Sequence, residues 1–174
     1  MSCLPRVIVA ATGDTPHRGL LLAGGPMVPC ALGRAGIRPG KREGDGATPR
    51  GTWRPVFVYY RADRLPRPQT VLPTRALRPD DGWCDDPTDR LYNRPVRLPY
   101  EGRHEDLWRA DGLYDVIVVL DYNLAHPRAG AGSAIFLHIA APGLGATQGC
   151  IAVASAAMRR LLTRIGPTTV FDVR

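Results

Sequence analysis

The sequence predicts a mainly β domain with one helix near its C-terminus and long loops covering it. Three observations carry that expectation. Seventeen prolines and nineteen glycines punctuate the 174 residues, which leaves few stretches long enough for a helix. Between these breaks lie short runs rich in β-branched, aromatic and aliphatic residues that end at turn signals. One segment, near the end, repeats apolar residues at helical spacing.

Taken in order, the expected strands are Arg6 to Ala11, Gly19 to Ala23, Val28 to Leu32, Thr52 to Arg61, Leu113 to Leu120 and Ala134 to Ala140. The run from Tyr114 to Leu120 is almost continuously apolar, as a strand covered on both faces requires. The helix takes Ser155 as N-cap, carries Met158, Leu161, Leu162 and Ile165 along one face, and stops at Gly166-Pro167. A second helical turn is expected over Glu101 to Arg109. Gly33 to Gly51 and Leu65 to about Pro99 read as irregular; loops of that length in a compact domain tend to be covers or binding loops. Ala125 to Gly132 reads as a flexible connection. The length suits one domain, residues 1–174, with a core that needs no staples.

The formal charge is +7, from 23 basic and 16 acidic residues, with Lys41 the sole lysine. That balance favours anionic partners: nucleic acid, an anionic membrane surface or an acidic polymer. The arginines are scattered singly or in pairs (Arg61, Arg64, Arg67, Arg75) rather than gathered in a run. A solvated basic surface is therefore expected, and no nucleic-acid partner. No run reaches the roughly 18 apolar residues of a membrane span, and no signal peptide is legible at the N-terminus. Cys3, Cys30, Cys84 and Cys150 are far apart and include no C-x-x-C pair, so a metal site is unsupported. A disulfide among the first three stays open, and none is required.

Chemistry concentrates between Ser133 and Val153, SAIFLHIAAPGLGATQGCIAV. An apolar strand ends at His138, a Pro/Gly loop follows, and Thr147-Gln148-Gly149-Cys150 leads back into Ile151-Ala152-Val153. Two strands so joined can set an imidazole beside a thiol. A histidine that takes the thiol proton turns a weak nucleophile into a strong one. Gly149 removes bulk before the candidate nucleophile, so the backbone can approach a substrate and aim N–H groups at an oxyanion. Thr147 is placed to bond within the turn or to the substrate backbone. Read singly, a cysteine such as Cys150 is more often a small buried apolar residue, and a histidine such as His138 more often a satisfied core or edge residue.

The stretch His138 to Val153 resembles the active-site signature of the L,D-transpeptidase catalytic domain family, in which His precedes [S/T]-x-G-C and an aliphatic residue. The matching positions are His138, Thr147, Gly149, Cys150 and Ile151. Upstream, Thr48-Pro49-Arg50-Gly51-Thr52-Trp53 is similar to the family's T-P-x-G-x-[FW] segment. Gly82 to Asp86 with Tyr92-Asn93-Arg94 resembles a block of its short, single-domain members. Family members commonly carry Arg two positions after the nucleophile; this chain has Ala152, which leaves the acyl-donor preference open.

The resemblance implies a β-sandwich or barrel acting on peptidoglycan stem peptides, with no cofactor, as a monomer, in the periplasm or cell wall. It implies Cys150 as nucleophile, His138 as base and Gly149 in the oxyanion turn, with crosslinks of the 3-3 or 1-3 kind. Thr147, Trp83, Tyr92, Arg94 and Asp86 are the candidate substrate contacts. For Trp83 and Tyr92 a buried anchor is the alternative, for Arg94 a structural ion pair, for Asp86 loop solvation. Cys84 ranks below Cys150, and His104 and His126 are expected at the surface. An L,D-carboxypeptidase or endopeptidase on the same scaffold is the nearest rival reading. A non-catalytic basic module, binding peptidoglycan or nucleic acid with steep salt dependence, is the rival from another class.

Overall fold

The computed structural model describes residues 3–13 and 15–174. Its strands are β1 (Arg6–Ala11), β2 (Arg18–Leu22), β3 (Val28–Ala31), β4 (Ile37–Arg38), β5 (Thr48–Pro49), β6 (Gly51–Trp53), β7 (Pro55–Tyr60) and β8 (Thr74–Ala76). They continue with β9 (Asp81–Cys84), β10 (Arg94–Arg97), β11 (His104–Asp106), β12 (Val116–Leu120), β13 (Phe136–Ile139) and β14 (Ile151–Val153). Helix α1 (Ser155–Leu162) and strand β15 (Val170–Val173) complete the chain. Among the described residues no helix is long and apolar enough to cross a membrane.

Ten strands form one sheet in the order β6-β15-β1-β2-β3-β14-β13-β12-β7-β8. Its first and ninth members, β6 and β7, are joined by Arg54 alone. In a flat sheet they would lie on the order of 38 Å apart, eight spacings of about 4.8 Å. Two Cα steps reach at most about 7.6 Å. The sheet must therefore curl until its two ends meet, which is the barrel-like half of the expected architecture. Asp121 fastens the corner, its carboxylate accepting from the Arg54 N–H at 2.7 Å and its own N–H donating to the Arg54 carbonyl at 2.9 Å.

Strand β12 explains why its sequence is apolar throughout. Val116, Val118 and Leu120 join the larger core with Val7, Val9 and the buried face of α1. Ile117 and Val119 point the other way, into a second core with Trp83, Leu107 and Phe136. The cover over that second face is the three-stranded sheet β10-β9-β11. Along β13 and into β14 the side chains divide in the same way: Leu137, Ile151 and Val153 face the first core, Phe136 and Cys150, the residue before β14, the second.

Several expectations need correction. Glu101 to Arg109 is not helical; His104–Asp106 is a strand paired to β9, because tertiary pairing outweighs weak local propensity. Both stretches read as irregular contain strands, β4 and β5 in one and β8 to β10 in the other. The run Thr52 to Arg61 breaks at Arg54, where the chain passes from one end of the sheet to the other. Ser155 does not cap α1; Ala154 holds the cap position without a side-chain bond. The chain turns into the helix one residue after β14, so Ser155 is already helical, and its Oγ accepts from Arg159 Nη1 at 3.1 Å. The helix is not the last element either. β15 follows it, parallel to β1 and antiparallel to β6, a strand only four residues long whose central Asp172 masks the apolar signal. All four cysteines are free.

Candidate active site

The second face of the curled sheet is covered over β12 and left open beside β13 and β14. There a cleft of about 430 Å³ is lined by residues that include Cys150, His138, Tyr114, Glu105, Lys41 and Ala152. Strands β13 and β14 run parallel with Leu137 opposite Ile151 and His138 opposite Ala152. Since side chains alternate across a strand, the Cys150 and His138 side chains share one face. The twelve-residue separation in sequence is what a parallel pair demands, because the chain must return to the starting edge before it can pair again.

The returning loop is stitched to its surroundings. The Thr147 N–H donates to the Leu32 carbonyl at 2.9 Å, and the Arg34 N–H to the Thr147 carbonyl at 2.9 Å. Thr147 Oγ1 donates to the Cys150 carbonyl at 2.7 Å and accepts from the Gly149 N–H at 3.1 Å. That hydroxyl lines the cleft yet is spent on closing the turn. Gly149 has φ of 138°, and a Cβ there would stand 2.7 Å from the Ala47 carbonyl oxygen, so only glycine fits. The upstream motif serves the same loop: Thr48 Oγ1 accepts from the Gly33 N–H at 2.8 Å, and the Pro49 carbonyl accepts from Trp53 Nε1 at 3.1 Å.

Cys150 is 7% exposed. Its Sγ accepts from the Phe136 N–H at 3.4 Å and donates to the Ala134 carbonyl at 3.1 Å. Burial above all, and then the Glu105 carboxyl, push its thiol up to about 12, against a smaller opposing pull from the Phe136 N–H and Lys41. His138 is 5% exposed, and burial lowers it to about 4 although the Ile139 carbonyl favours the charged ring. Its Nδ1 lies 2.8 Å from that carbonyl. A carbonyl only accepts, so Nδ1 carries the proton and Nε2 keeps its lone pair. Nearby, Tyr114 sets its ring edge-on to His138 with centroids 5.1 Å apart. The Tyr114 hydroxyl donates to Glu105, whose carboxyl burial holds above the usual carboxylate range. At neutral pH the resting site is therefore a neutral thiol with a neutral imidazole rather than a stored ion pair.

The other residues singled out in the sequence lie elsewhere. Trp83 is 1% exposed, stacked edge-on against Phe136 at 5.1 Å, with Nε1 donating to Asn93 Oδ1 at 2.9 Å. Tyr92 is buried behind the cleft wall and donates to Glu43 at 2.5 Å. The Arg94 guanidinium is spent on the Leu124 carbonyl and, at 3.2 Å, on that of Ala125. Asp86 is not part of the cleft lining; it caps a turn by accepting from the Thr88 N–H at 2.9 Å. None of the four lines the cleft. His104, expected at the surface, is half-buried and does line it, while His126 is exposed. Reasoning from sequence missed Lys41, Glu105 and Tyr114, which reach the cleft from loops and from a strand mistaken for a helix. The one available signal was Lys41, the single lysine of an arginine-rich chain.

Trp83 has a structural consequence. Trp83→Ala is expected to cost about 4 kcal/mol of stability, since it opens a cavity in the second core and removes one of the two donors to Asn93 Oδ1, which keeps the Ala134 N–H at 3.0 Å. Denaturant unfolding measures it, and a cost below about 1 kcal/mol would show that the small sheet contributes little to the second core.

A family model described as the L,D-transpeptidase catalytic domain matches residues 10–173. No curated protein sequence matches the chain. Among solved structures, L,D-transpeptidase 1 of Mycobacterium tuberculosis is similar at 13% identity with a TM-score of 0.40. The match covers 96% of this chain and 58% of that one, so the chain spans under two thirds of that protein's length.

Proposed function

This chain belongs to the L,D-transpeptidase catalytic domain family, and from that premise we propose that it crosslinks peptidoglycan stem peptides through a thioester on Cys150. The observation that carries the reading is the shared face of His138 and Cys150 on adjacent parallel strands, opening into one cleft. The stem peptide binds there with an L-centre carbonyl against the thiol. The Sγ proton leaves the Ala134 carbonyl for His138 Nε2 as sulfur attacks, so a C–S bond and an oxyanion form together with the imidazolium. The Ile139 carbonyl orients the ring and favours its charged form; no acidic third member is needed.

Because the Gly149 N–H is committed to Thr147, the Cys150 N–H is the donor at this turn assigned to the oxyanion. Collapse breaks the C–N bond, His138 returns its proton to the leaving amine, and the thioester remains. An amine from a second stem then attacks the thioester carbonyl and loses its proton to His138; the C–S bond breaks as the new C–N bond is made, and His138 returns the proton to sulfur. The site accordingly acts in the periplasm or cell wall, as a monomer and without a cofactor.

Mass spectrometry of purified stem-peptide muropeptides incubated with the protein tests this. Dimers are expected, and fragmentation assigns the link as 3-3 or 1-3. Ala152, the cross-strand partner of His138, places only a methyl group where family members commonly carry Arg, which keeps the 1-3 donor in play. Monomers shortened by one residue, with no dimers, would make the protein an L,D-carboxypeptidase. No product and no covalent adduct at Cys150 would leave the binding module.

A further inference from the structure

We propose that Lys41 is a further functional residue of this site: its ammonium is a fixed positive charge at the Gly149–Cys150 turn that stabilises negative charge as it forms on sulfur and on the attacked carbonyl. The proposal rests on Cys150 being the nucleophile. Lys41 leaves the loop after β4 and lines the same cleft as Cys150, yet its side chain is only 3% exposed. The stem runs along two glycines. A Cβ on Gly132 would stand 3.0 Å from Lys41 Cγ and Cε, and one on Gly149 3.3 Å from Nζ. Both glycines hold positive φ, 99° and 138°, so the backbone opens a channel that delivers the ammonium to the nucleophile turn.

The charge is held in place before any substrate arrives. Nζ donates to Asp45 Oδ1 at 2.7 Å and to the Arg42 carbonyl at 3.2 Å. These use two of lysine's three donors, and among the described residues the third is uncommitted. Asp45 is itself fixed by the Arg42 and Ala47 N–H groups, both at 2.8 Å. A lysine needed only to neutralise a carboxylate would do so at lower cost in solvent, since burying an ammonium carries a desolvation penalty. Here the penalty is met beside the one turn where anionic charge must form, and a fixed charge there needs no reorganisation during the reaction. The charged and titratable groups facing Cys150 are Lys41, Glu105 from β11, Tyr114 from the segment before β12, and His138 from β13. Glu43 is engaged by the Tyr92 and Ser133 hydroxyls. Lys41 favours the thiolate and Glu105 opposes it.

The test is iodoacetamide alkylation across pH 7 to 10, read at the Cys150 peptide by mass spectrometry. Wild type is compared with Lys41→Met and with Lys41→Met/Asp45→Asn, which removes the ion pair together and keeps a matched interior. Alkylation is expected to slow about tenfold at each pH in both variants, with dimer formation losing kcat rather than gaining KM. Equal alkylation rates in wild type and a double variant of unchanged Tm would overturn the proposal. Alkylation needs no stem peptide, so an intact Lys41 effect without crosslinking sinks the peptidoglycan reading alone. Crosslinking intact without a Lys41 effect sinks this inference alone.

Discussion

Cys150→Ala is expected to abolish stem-peptide dimers, a loss of about 10⁴-fold or more, while the protein stays folded. In the proposed mechanism the thiol is the atom that bonds to the acyl group, and the buried neighbours offer no substitute. Cys84 is buried in β9, with its thiol raised chiefly by burial, and it does not line the cleft. Stability should fall by about 1 kcal/mol, because the Phe136 N–H loses its sulfur acceptor. Intact-protein mass after mixing with stem peptide gives the sharper readout: wild type gains an acyl mass and Cys150→Ala gains none. Dimers that persist in Cys150→Ala but vanish in Cys84→Ala would place the nucleophile in the wrong strand. Because the thiol sits near 12, the free thiolate at pH 7 is on the order of 10⁻⁵ of the population. Unassisted alkylation should therefore be slow and rise about tenfold per pH unit.

His138→Gln is expected to slow thioester formation about 10³-fold, the scale of a general base removed from a thiol that cannot ionise alone. With the imidazole near 4, the acid limb of kcat/KM in wild type should fall well below pH 6. A limb near pH 6.5 would mean that the ring is not buried in the working enzyme. The same histidine governs acid stability. The native ring refuses a proton that the unfolded chain binds between the ordinary 6.5 and about 4, so its contribution is fully present above that window and lost as pH falls through it. The loss amounts to about 2 kcal/mol by pH 5. His138→Gln should flatten that part of the stability profile, and an unchanged slope would assign it to other groups. Cys150 acts in the opposite range. The native thiol keeps a proton that the unfolded chain releases between 9.0 and about 12, so stability declines as pH rises there.

The sequence by itself determined the mainly β class, most strands of the ten-stranded sheet and the choice of Cys150 and His138 as the candidate pair, because each rests on local order along the chain. Gly/Pro punctuation limits helices wherever it occurs. The unbroken apolar run of β12 reports two covered faces whatever covers them. The signature from His138 to Ile151 is read in one pass, since the parallel pairing keeps its members within one loop of each other. Only the tertiary structure decided what lies across that face. Glu105 and Tyr114 are brought to the cleft by pairing between β11 and β9 and by the cover this makes over β12, and Lys41 by a channel between Gly132 and Gly149. Those positions follow from contacts between residues twenty or more apart in sequence, which no spacing rule encodes. Trp83, Tyr92 and Arg94 fell on the structural side for the same reason. An aromatic or a guanidinium in a polar loop serves a groove or a core equally well until the small sheet folds over it and spends its donors on Asn93, Glu43 and the carbonyls at Leu124 and Ala125. The protonation states of Cys150 and His138 belong to the fold as well, because burial sets them, and burial is a property of the assembled sheets.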